Sequence, residues 1–162
     1  MTRATHPSTN TATPNAEVPD VGEPTCDELD VRIFANATDG GSEGTPVVKW
    51  VGRLRHLTEA KLSAWGLGSL ADDARLLVSE LVTNALQYGQ HGEIGFRLLI
   101  TLQGLLIAVD DGSHHRPQLT VADADSESGR GLFLVASIAD EWGVSPDGTT
   151  TWCTLTLGGA GR

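Results

Sequence analysis

The stretch SLADDARLLVSELVTNALQYG, residues 69–89, predicts a helix around which the rest of the chain is arranged. Ser69 with Asp72 three residues later predicts a capping box, and Asp72 and Asp73 would complement the positive end of the helix dipole. Gly89 predicts a left-handed residue after the last turn. The apolar residues recur at the spacing of a stripe that faces a core: Ala74, Leu77, Val78, Leu81, Val82 and Ala85.

Two polar residues stand beside this stripe. Glu80 and Asn84 are four residues apart, so they share one edge of the predicted helix. An acid and an amide at such an edge face either a cleft or the solvent, and by themselves they are most often a solvated edge. Their meaning therefore depends on the segments that follow.

Length and charge indicate a single acidic domain. The chain has 162 residues, with 11 Lys and Arg against 21 Asp and Glu, and a formal charge of −10. This charge disfavours nucleic acid and anionic membranes as partners. The sequence has no apolar run of about 18 residues and no apolar signal-peptide core, so we expect a cytoplasmic protein without a membrane span.

The composition divides the chain into three parts. Residues 1–28 are rich in Thr, Pro, Asn and Ala and predict a disordered tail, residues 29–158 predict the folded domain, and residues 159–162 predict a short C-terminal tail. Cys26 and Cys153 lack metal-ligand spacing and predict reduced, structural thiols.

Hydrophobic periodicity predicts strands and helices on both sides of the central helix. The first helix has five predicted core positions, which are Val47, Val51, Leu54, Leu57 and Leu62. The predicted elements are a strand at Leu29–Phe34, a loop over Ala35–Thr45, a helix from Pro46 to about Trp65, an antiparallel hairpin of Ile94–Leu102 and Leu105–Val109, an apolar helix from Leu132 to near Trp142, and a strand at Thr150–Leu157.

Polar and glycine-rich segments follow the central helix in a definite order. Asp111 comes at the end of the second hairpin strand, where alternation favours it over its neighbour as the residue that faces a pocket. The long polar connection of residues 114–128 has a length that is commonly functional. Gly129 and Gly131 open a helix, where backbone amides and the helix dipole attract phosphate, and Thr150 opens the last strand.

Taken in this order, SELVTNALQYG and ESGRGLFLVASIADEWGV resemble the ATP-binding domain shared by gyrase, sensor histidine kinases and MutL. Within that superfamily the chain resembles the stand-alone anti-sigma-factor serine kinases of the RsbW and SpoIIAB type, over about Leu29 to Leu157. The resemblance implies an α+β fold, a two-layer α/β sandwich with helices on one face of a mixed, mainly antiparallel sheet (the Bergerat ATP-binding fold). ATP would lie between the helices and a flexible lid formed by residues 114–128.

The resemblance also implies roles for individual residues. Asn84 would ligate the Mg²⁺ that bridges the ATP phosphates, and Glu80 would be the general base that takes the proton from a substrate serine hydroxyl. Asp111 would accept a hydrogen bond from the adenine amine, with support from Thr150. The remaining residues expected to bind the nucleotide are Ser113, Gly129, Arg130, Gly131 and Leu132, and Arg116 with Arg130 could neutralise phosphate charge.

The adenine-binding motif departs from the family pattern. That pattern is usually Asp-x-Gly-x-Gly, whereas residues 111–115 read DGSHH, so both motif glycines are replaced. A frame that starts at Asp110 would restore one of them, at Gly112. We therefore expect weak nucleotide binding or a differently organised lid, and we expect His114 and His115 to be exposed loop residues.

Three functions are compatible with these features. The first is a kinase that phosphorylates a serine or threonine of an anti-anti-sigma (STAS-type) protein, and the second is an anti-sigma module that sequesters its sigma factor, with ATP only shaping the surface. The third, a detached catalytic domain of a histidine kinase, is disfavoured because the residues before Pro46 are too polar for a dimerising helical pair. Whether the chain forms a homodimer, as relatives of this type often do, stays open.

Overall fold

The computed structural model describes residues 13–14, 17–19, 27–34, 46–89, 92–114 and 130–158, and it confirms an α+β fold of two layers. Over these residues, three α-helices cover one face of a six-stranded sheet. The elements are β1 Thr13–Pro14, β2 Glu28–Phe34, α1 Pro46–Ala64, a 3-10 turn at Gly68–Leu70, α2 Ala71–Tyr88, β3 Glu93–Ile100, β4 Gly104–Asp110, α3 Arg130–Ile138, β5 Glu141–Val144 and β6 Thr150–Thr156.

The sheet is mixed and mainly antiparallel, as predicted. Its strand order is β1-β5-β6-β4-β3-β2, which puts β1 and β2 on opposite edges. Only β1 and β5 pair in parallel among the described strands, and the other four pairings are antiparallel. The predicted hairpin is confirmed as β3 and β4.

The central strand β4 is buried on both faces. Leu105, Ile107 and Val109 pack into the core under the helices, whereas Leu106 and Ala108 belong to a second apolar cluster on the other face, which we call the outer face. Because side chains alternate along a strand, the residues that follow β4 continue this division. Odd-numbered positions there face the helices.

The helical layer confirms most of the predicted core. All six residues of the apolar stripe on α2 are buried, and Asp72 and Asp73 lie in its first turn. On α1 the prediction for Leu57 is wrong, since its side chain is 42% exposed and Thr58 is buried in its place. One residue turns a helix by about 100°, so the core side of α1 follows the series Leu54, Thr58 and Leu62. The side chain of Val47 lies outside the described ones.

Both predicted caps of α2 are wrong in detail. Ser69 lies inside the 3-10 turn, so Leu70 is the N-cap and the cap has no side-chain hydrogen bond. Gly89 is extended, with φ −64° and ψ 138°, rather than left-handed. The glycine is needed for space, because a Cβ there would come within 2.4 Å of the Ala85 carbonyl oxygen.

The described parts of residues 1–28 lie against the sheet, which departs from the prediction of a disordered tail. Thr13–Pro14 extend the sheet at β5, and Val18 packs on the outer face because that face offers apolar area to bury. Cys153 is buried and reduced, and burial raises the pKa of its thiol. Several predicted segments lie outside the described residues: Cys26, the loop at 35–45, residues 115–129 of the lid, and the tail at 159–162.

Candidate functional site

The helices α2 and α3 meet where Gly131 faces two polar side chains of α2. A Cβ at Gly131 would lie 2.5 Å from Oε2 of Glu80 and 3.7 Å from Nδ2 of Asn84. The structure therefore brings together the acid and the amide of α2 and a glycine predicted to bind phosphate. Because Gly131 has no side chain, the Glu80 carboxylate can pack directly against the backbone of α3.

Glu80 combines partial burial with a carboxylate that is not engaged elsewhere. Neither Glu80 nor Asn84 has a hydrogen bond or ion pair within the part of the chain that the structure describes. Desolvation by burial raises the pKa of Glu80, because the charged carboxylate loses water. A carboxylate of this kind accepts a proton more readily than an ordinary glutamate does.

The first turn of α3 supplies backbone donors next to this pair. The helix begins at Arg130, and the first four N–H groups of any α-helix have no partner within the helix. The Arg130 side chain is exposed, whereas Leu132 is 3% exposed and packs in the core. The Leu132 side chain packs in the core, so only its backbone amide could bind the nucleotide, and that role stays a prediction. Gly129 lies outside the described residues.

Asp111 lies at the other end of α2. A Cβ at Gly89 would come within 3.2 Å of the Asp111 Cβ, so the carboxylate-bearing residue lies beside the helix end. Alternation from Val109 places Asp111 on the helical face, as predicted, whereas Asp110 pairs with Gly95 and Thr150 on the outer face. The frame that starts at Asp111 is therefore the one that fits the fold.

The Asp111 carboxylate already accepts two hydrogen bonds. Its Oδ1 receives the Ser113 backbone N–H at 2.8 Å and the Ser113 hydroxyl at 2.7 Å. Ser113 is buried, at 1% exposed, whereas Asp111 is half-buried. Ser113 was predicted to bind the nucleotide, and in the structure its polar groups bind Asp111 instead.

Thr150 does not lie beside Asp111. It pairs with Asp110 in the β4–β6 ladder, and directly opposed residues of an antiparallel pair share a face, so Thr150 is on the outer face. The structure therefore does not bring Thr150 to the face of the sheet that carries Asp111. Thr151 pairs with Val109 on the helical face and is half-buried, and its side-chain hydroxyl has no hydrogen-bond partner within the described residues.

The turn before β6 holds the strand in this register. Asp147 Oδ1 accepts the Ser145 hydroxyl at 2.5 Å, the Thr149 N–H at 3.1 Å and the Thr149 hydroxyl at 3.0 Å. These bonds lower the pKa of Asp147, and the bond from Ser145 has the largest effect.

Two contacts connect this turn to the end of β4. The Asp111 N–H donates to the Thr149 carbonyl at 3.1 Å. His114 is exposed, as predicted, and its Nδ1 lies 3.0 Å from the Asp147 carbonyl oxygen.

Sequence reasoning missed two residues of the site. Gly89 was interpreted only as a cap, and it is the C-cap of α2, but it also lies against Asp111, where a Cβ would come within 3.2 Å of the Asp111 Cβ. Thr151 was passed over within the run Thr149–Thr151, and pairing that run against Val109 was the signal that could have selected it.

Comparison with known families agrees with this geometry. Residues 48–155 match the family model of the histidine kinase-like ATPase domain. The chain belongs to this family. The match spans both helices of the Glu80–Gly131 contact as well as Asp111 and Thr151, so the candidate site lies within the shared ATPase domain. No protein in the curated set matches the chain significantly. Among the described helices, none has the length and apolar character needed to cross a membrane.

Proposed function

We propose that this histidine kinase-like ATPase domain is an anti-sigma-type regulator that uses ATP to phosphorylate a serine or threonine of an anti-anti-sigma, STAS-type partner. The observation that supports catalysis is the contact of α2 and α3, where Glu80 and Asn84 lie against Gly131. Phosphoryl transfer requires a base that orients the nucleophile and donors that hold the phosphates. This contact offers both within one helix pair.

Each residue then has a distinct task. Glu80 accepts the proton of the attacking hydroxyl, and its raised pKa suits a base that must take up a proton near neutral pH. The amides of the first turn of α3 bind the phosphate oxygens, with Arg130 at the same helix start. Asp111 accepts the adenine amine, and Thr151 lies on the same face of the sheet.

Asn84 is the residue that would hold Mg²⁺. Its side-chain oxygen is a hard ligand, and Mg²⁺ in nucleotide sites takes most of its ligands from phosphates and water. The described residues contain no group of three or more His, Cys, Asp or Glu that could hold a metal ion. Bound Mg²⁺ would supply charge neutralisation between the phosphates. The proposed partners are cytoplasmic proteins, and the role implies the same location.

The test is phosphate transfer from labelled ATP to a STAS-type partner with the Glu80→Gln variant. We expect transfer to fall by about a hundredfold to ten-thousandfold, the usual contribution of a general base, while ATP binding is kept. Glu59→Gln is the matched control, because Glu59 is an exposed acid 3.9 Å from Arg75 and away from α3. Equal transfer by wild type and Glu80→Gln would remove Glu80 from the reaction.

A second function is supported by a different observation. The Ser113 hydroxyl and amide occupy Oδ1 of Asp111, and such bonds oppose tight adenine binding. This favours an anti-sigma module that binds its partner and uses ATP only to shape its surface. In that case Glu80→Gln leaves regulation of the sigma factor unchanged, whereas the kinase function predicts that regulation is lost.

A further inference from the structure

An exposed leucine lies one helical turn before the proposed base. The side chain of Leu76 is 46% exposed, although it belongs to a helix whose apolar stripe is otherwise buried. Residues four apart share one edge of a helix, so Leu76 and Glu80 lie on the same edge of α2. Gly131 of α3 approaches that edge at Glu80. The surface next to the proposed base is therefore apolar on its α2 side.

The strand directions show how α3 runs along α2. α2 ends at Gly89, beside Asp111, which follows the end of β4. β5 has the same direction as β4, because both pair with β6 in the antiparallel sense. α3 leads into the start of β5, so α3 ends at the end of the sheet away from Asp111. From Gly131, α3 thus runs toward the beginning of α2.

A second leucine follows Gly131 on the edge of α3 that faces α2. Leu134 and Ile138 come three and seven residues after Gly131, the spacing of side chains on one edge. Both are half-buried, but Ile138 packs against the core, whereas Leu134 does not among the described residues. Three residues along α3 advance about 4.5 Å and four along α2 about 6 Å. Leu134 is therefore level with Leu76.

The same edge of α2 is acidic before it is apolar. Asp73 precedes Leu76 by three residues, is exposed, and has no ion pair within the described part of the chain. Arg75 lies on the other side of α2, where it is 3.9 Å from Glu59 of α1. Neighbours at these spacings are about 5–6 Å apart. The edge thus presents an acid, a leucine and the proposed base at successive turns.

We propose that Leu76, Leu134 and Asp73 form the docking surface for the acceptor segment of the partner protein, an inference that rests on the proposed kinase function. The acceptor hydroxyl must reach Glu80, so the residues beside it lie over this surface. An extended segment rises about 3.3 Å per residue. The preferred acceptor therefore has an apolar residue about two positions from its serine or threonine, against the two leucines, and a basic residue about two positions further, near Asp73.

The principal test is the Leu76→Ser variant in phosphate transfer from ATP to the STAS-type partner. We expect KM for the partner to rise about tenfold with kcat unchanged, because the lost contact binds substrate and transition state equally. Leu57→Ser is the matched control, since Leu57 is a similarly exposed leucine, at 42%, on α1. It should leave both constants unchanged.

Leu134→Ala tests the α3 side of the surface and should raise KM in the same way. Phe133→Ala is its control, because Phe133 is 71% exposed but comes two residues after Gly131, and residues two apart do not share a helix edge. If Phe133→Ala raises KM as much as Leu134→Ala does, the partner docks on the other side of α3 and the proposed surface is wrong.

Asp73→Asn tests the charge of the surface. We expect KM to rise about twofold to fivefold at low salt and the difference from wild type to shrink at high salt, because the charges are exposed. Asp72→Asn is the control, since Asp72 lies in the same first turn but about 100° around the helix. Equal effects of the two variants would assign the change to the helix dipole and remove Asp73 from the surface.

Changes in the partner identify the occupant. Each apolar residue within three positions of the acceptor serine or threonine is replaced in turn by alanine. One replacement should raise KM, and Leu76→Ser should raise it little further in that partner variant, because both changes remove one contact.

A KM that is equal in wild type and Leu76→Ser would overturn the proposal, as would independent effects for every partner variant. The proposed function fails separately, if wild type transfers no phosphate at all. In that case calorimetry of partner binding with Mg²⁺ and ATP still tests the surface, and an affinity unchanged by Leu76→Ser would overturn it.

Discussion

Glu80 and Asp111 are the two carboxylates of the candidate site, and their surroundings differ. Glu80 is half-buried in a helix pair, has no hydrogen bond within the described residues, and has a pKa raised by desolvation. Asp111 follows a strand and accepts two hydrogen bonds from Ser113. Within the described residues the Glu80 carboxylate thus has no side-chain partner, whereas Oδ1 of Asp111 already has two. We call the Glu80 side of the proposed site the phosphate end and the Asp111 side the adenine end.

This difference bears on where binding free energy can arise. A partly buried carboxylate without a partner costs stability in the free protein, and such a cost is commonly retained at positions that serve function. A carboxylate that already accepts two hydrogen bonds gains less from a further donor, because the existing bonds already stabilise its negative charge. We therefore expect the phosphates and Mg²⁺ to dominate nucleotide affinity, with the adenine contributing less.

The largest effect is expected from Gly131→Ala at the phosphate end. The new Cβ would lie 2.5 Å from Glu80 Oε2, so the carboxylate must swing away. Misplacement of a reacting group by about 1 Å can lower a rate on the order of a hundredfold, and we expect a loss of that size in phosphate transfer. Gly52→Ala is the control, since a Cβ at that helical position meets nothing within 4 Å. It should leave transfer unchanged and stabilise α1 by about 0.5–1 kcal/mol in urea unfolding.

The next effect is a pH dependence that differs in sign between the two ends. The pKa of Glu80 is raised in the folded chain, so the stability from its bound proton is present at low pH and is lost as pH rises through that raised pKa. The pKa of Asp147, in the turn that supports the adenine end, is lowered by its bonds from Ser145 and Thr149. Its stabilising effect is present at neutral pH and is lost as pH falls through the lowered pKa.

Urea unfolding across pH measures both signs. In wild type the free energy of unfolding should fall with rising pH in the weakly acidic range above the ordinary glutamate pKa, and Glu80→Gln should remove this fall. It should also fall with decreasing pH in the more acidic range below the ordinary aspartate pKa, and Asp147→Asn should remove that fall. Phosphate transfer should fall as pH drops through the raised pKa of Glu80, because only the ionised carboxylate is a base. A transfer rate independent of pH in that range would contradict the role of Glu80.

The two ends also differ in how far the sequence predicts them. The phosphate end follows from helical periodicity, which fixes Glu80 and Asn84 on one edge next to a stripe whose six members are all buried. The adenine end depends on strand register. Alternation along β4 predicts the face on which Asp111 lies, but β6 begins in a run of three threonines, whose faces are known only once the run is paired with β4.

Tertiary contacts account for the remaining differences. The hydrogen bonds to Asp147 lie in the turn before β6 and set the register of that strand. Hydrophobic periodicity does not predict such bonds. Thr58 is buried rather than Leu57 because the side of α1 that faces the core is set by its packing against α2 and not by local pattern alone. Gly89 is the C-cap of α2, but its conformation is extended, and sequence alone does not distinguish an extended cap from a left-handed one.

The smallest expected effect comes from Ser113→Ala at the adenine end. This change removes the 2.7 Å bond from the hydroxyl to Asp111 Oδ1 and keeps the backbone bond at 2.8 Å. A side-chain hydrogen bond contributes about 0.5–1.5 kcal/mol, so we expect ATP affinity, measured by calorimetry with Mg²⁺, to rise roughly twofold to tenfold as the carboxylate becomes available to the adenine amine. Ser137→Ala on α3 is the matched control, because its exposed hydroxyl donates only to the Leu134 carbonyl. A fall in affinity would show instead that Ser113 contacts the nucleotide itself. The two carboxylates would then differ less than their surroundings in the ligand-free protein indicate.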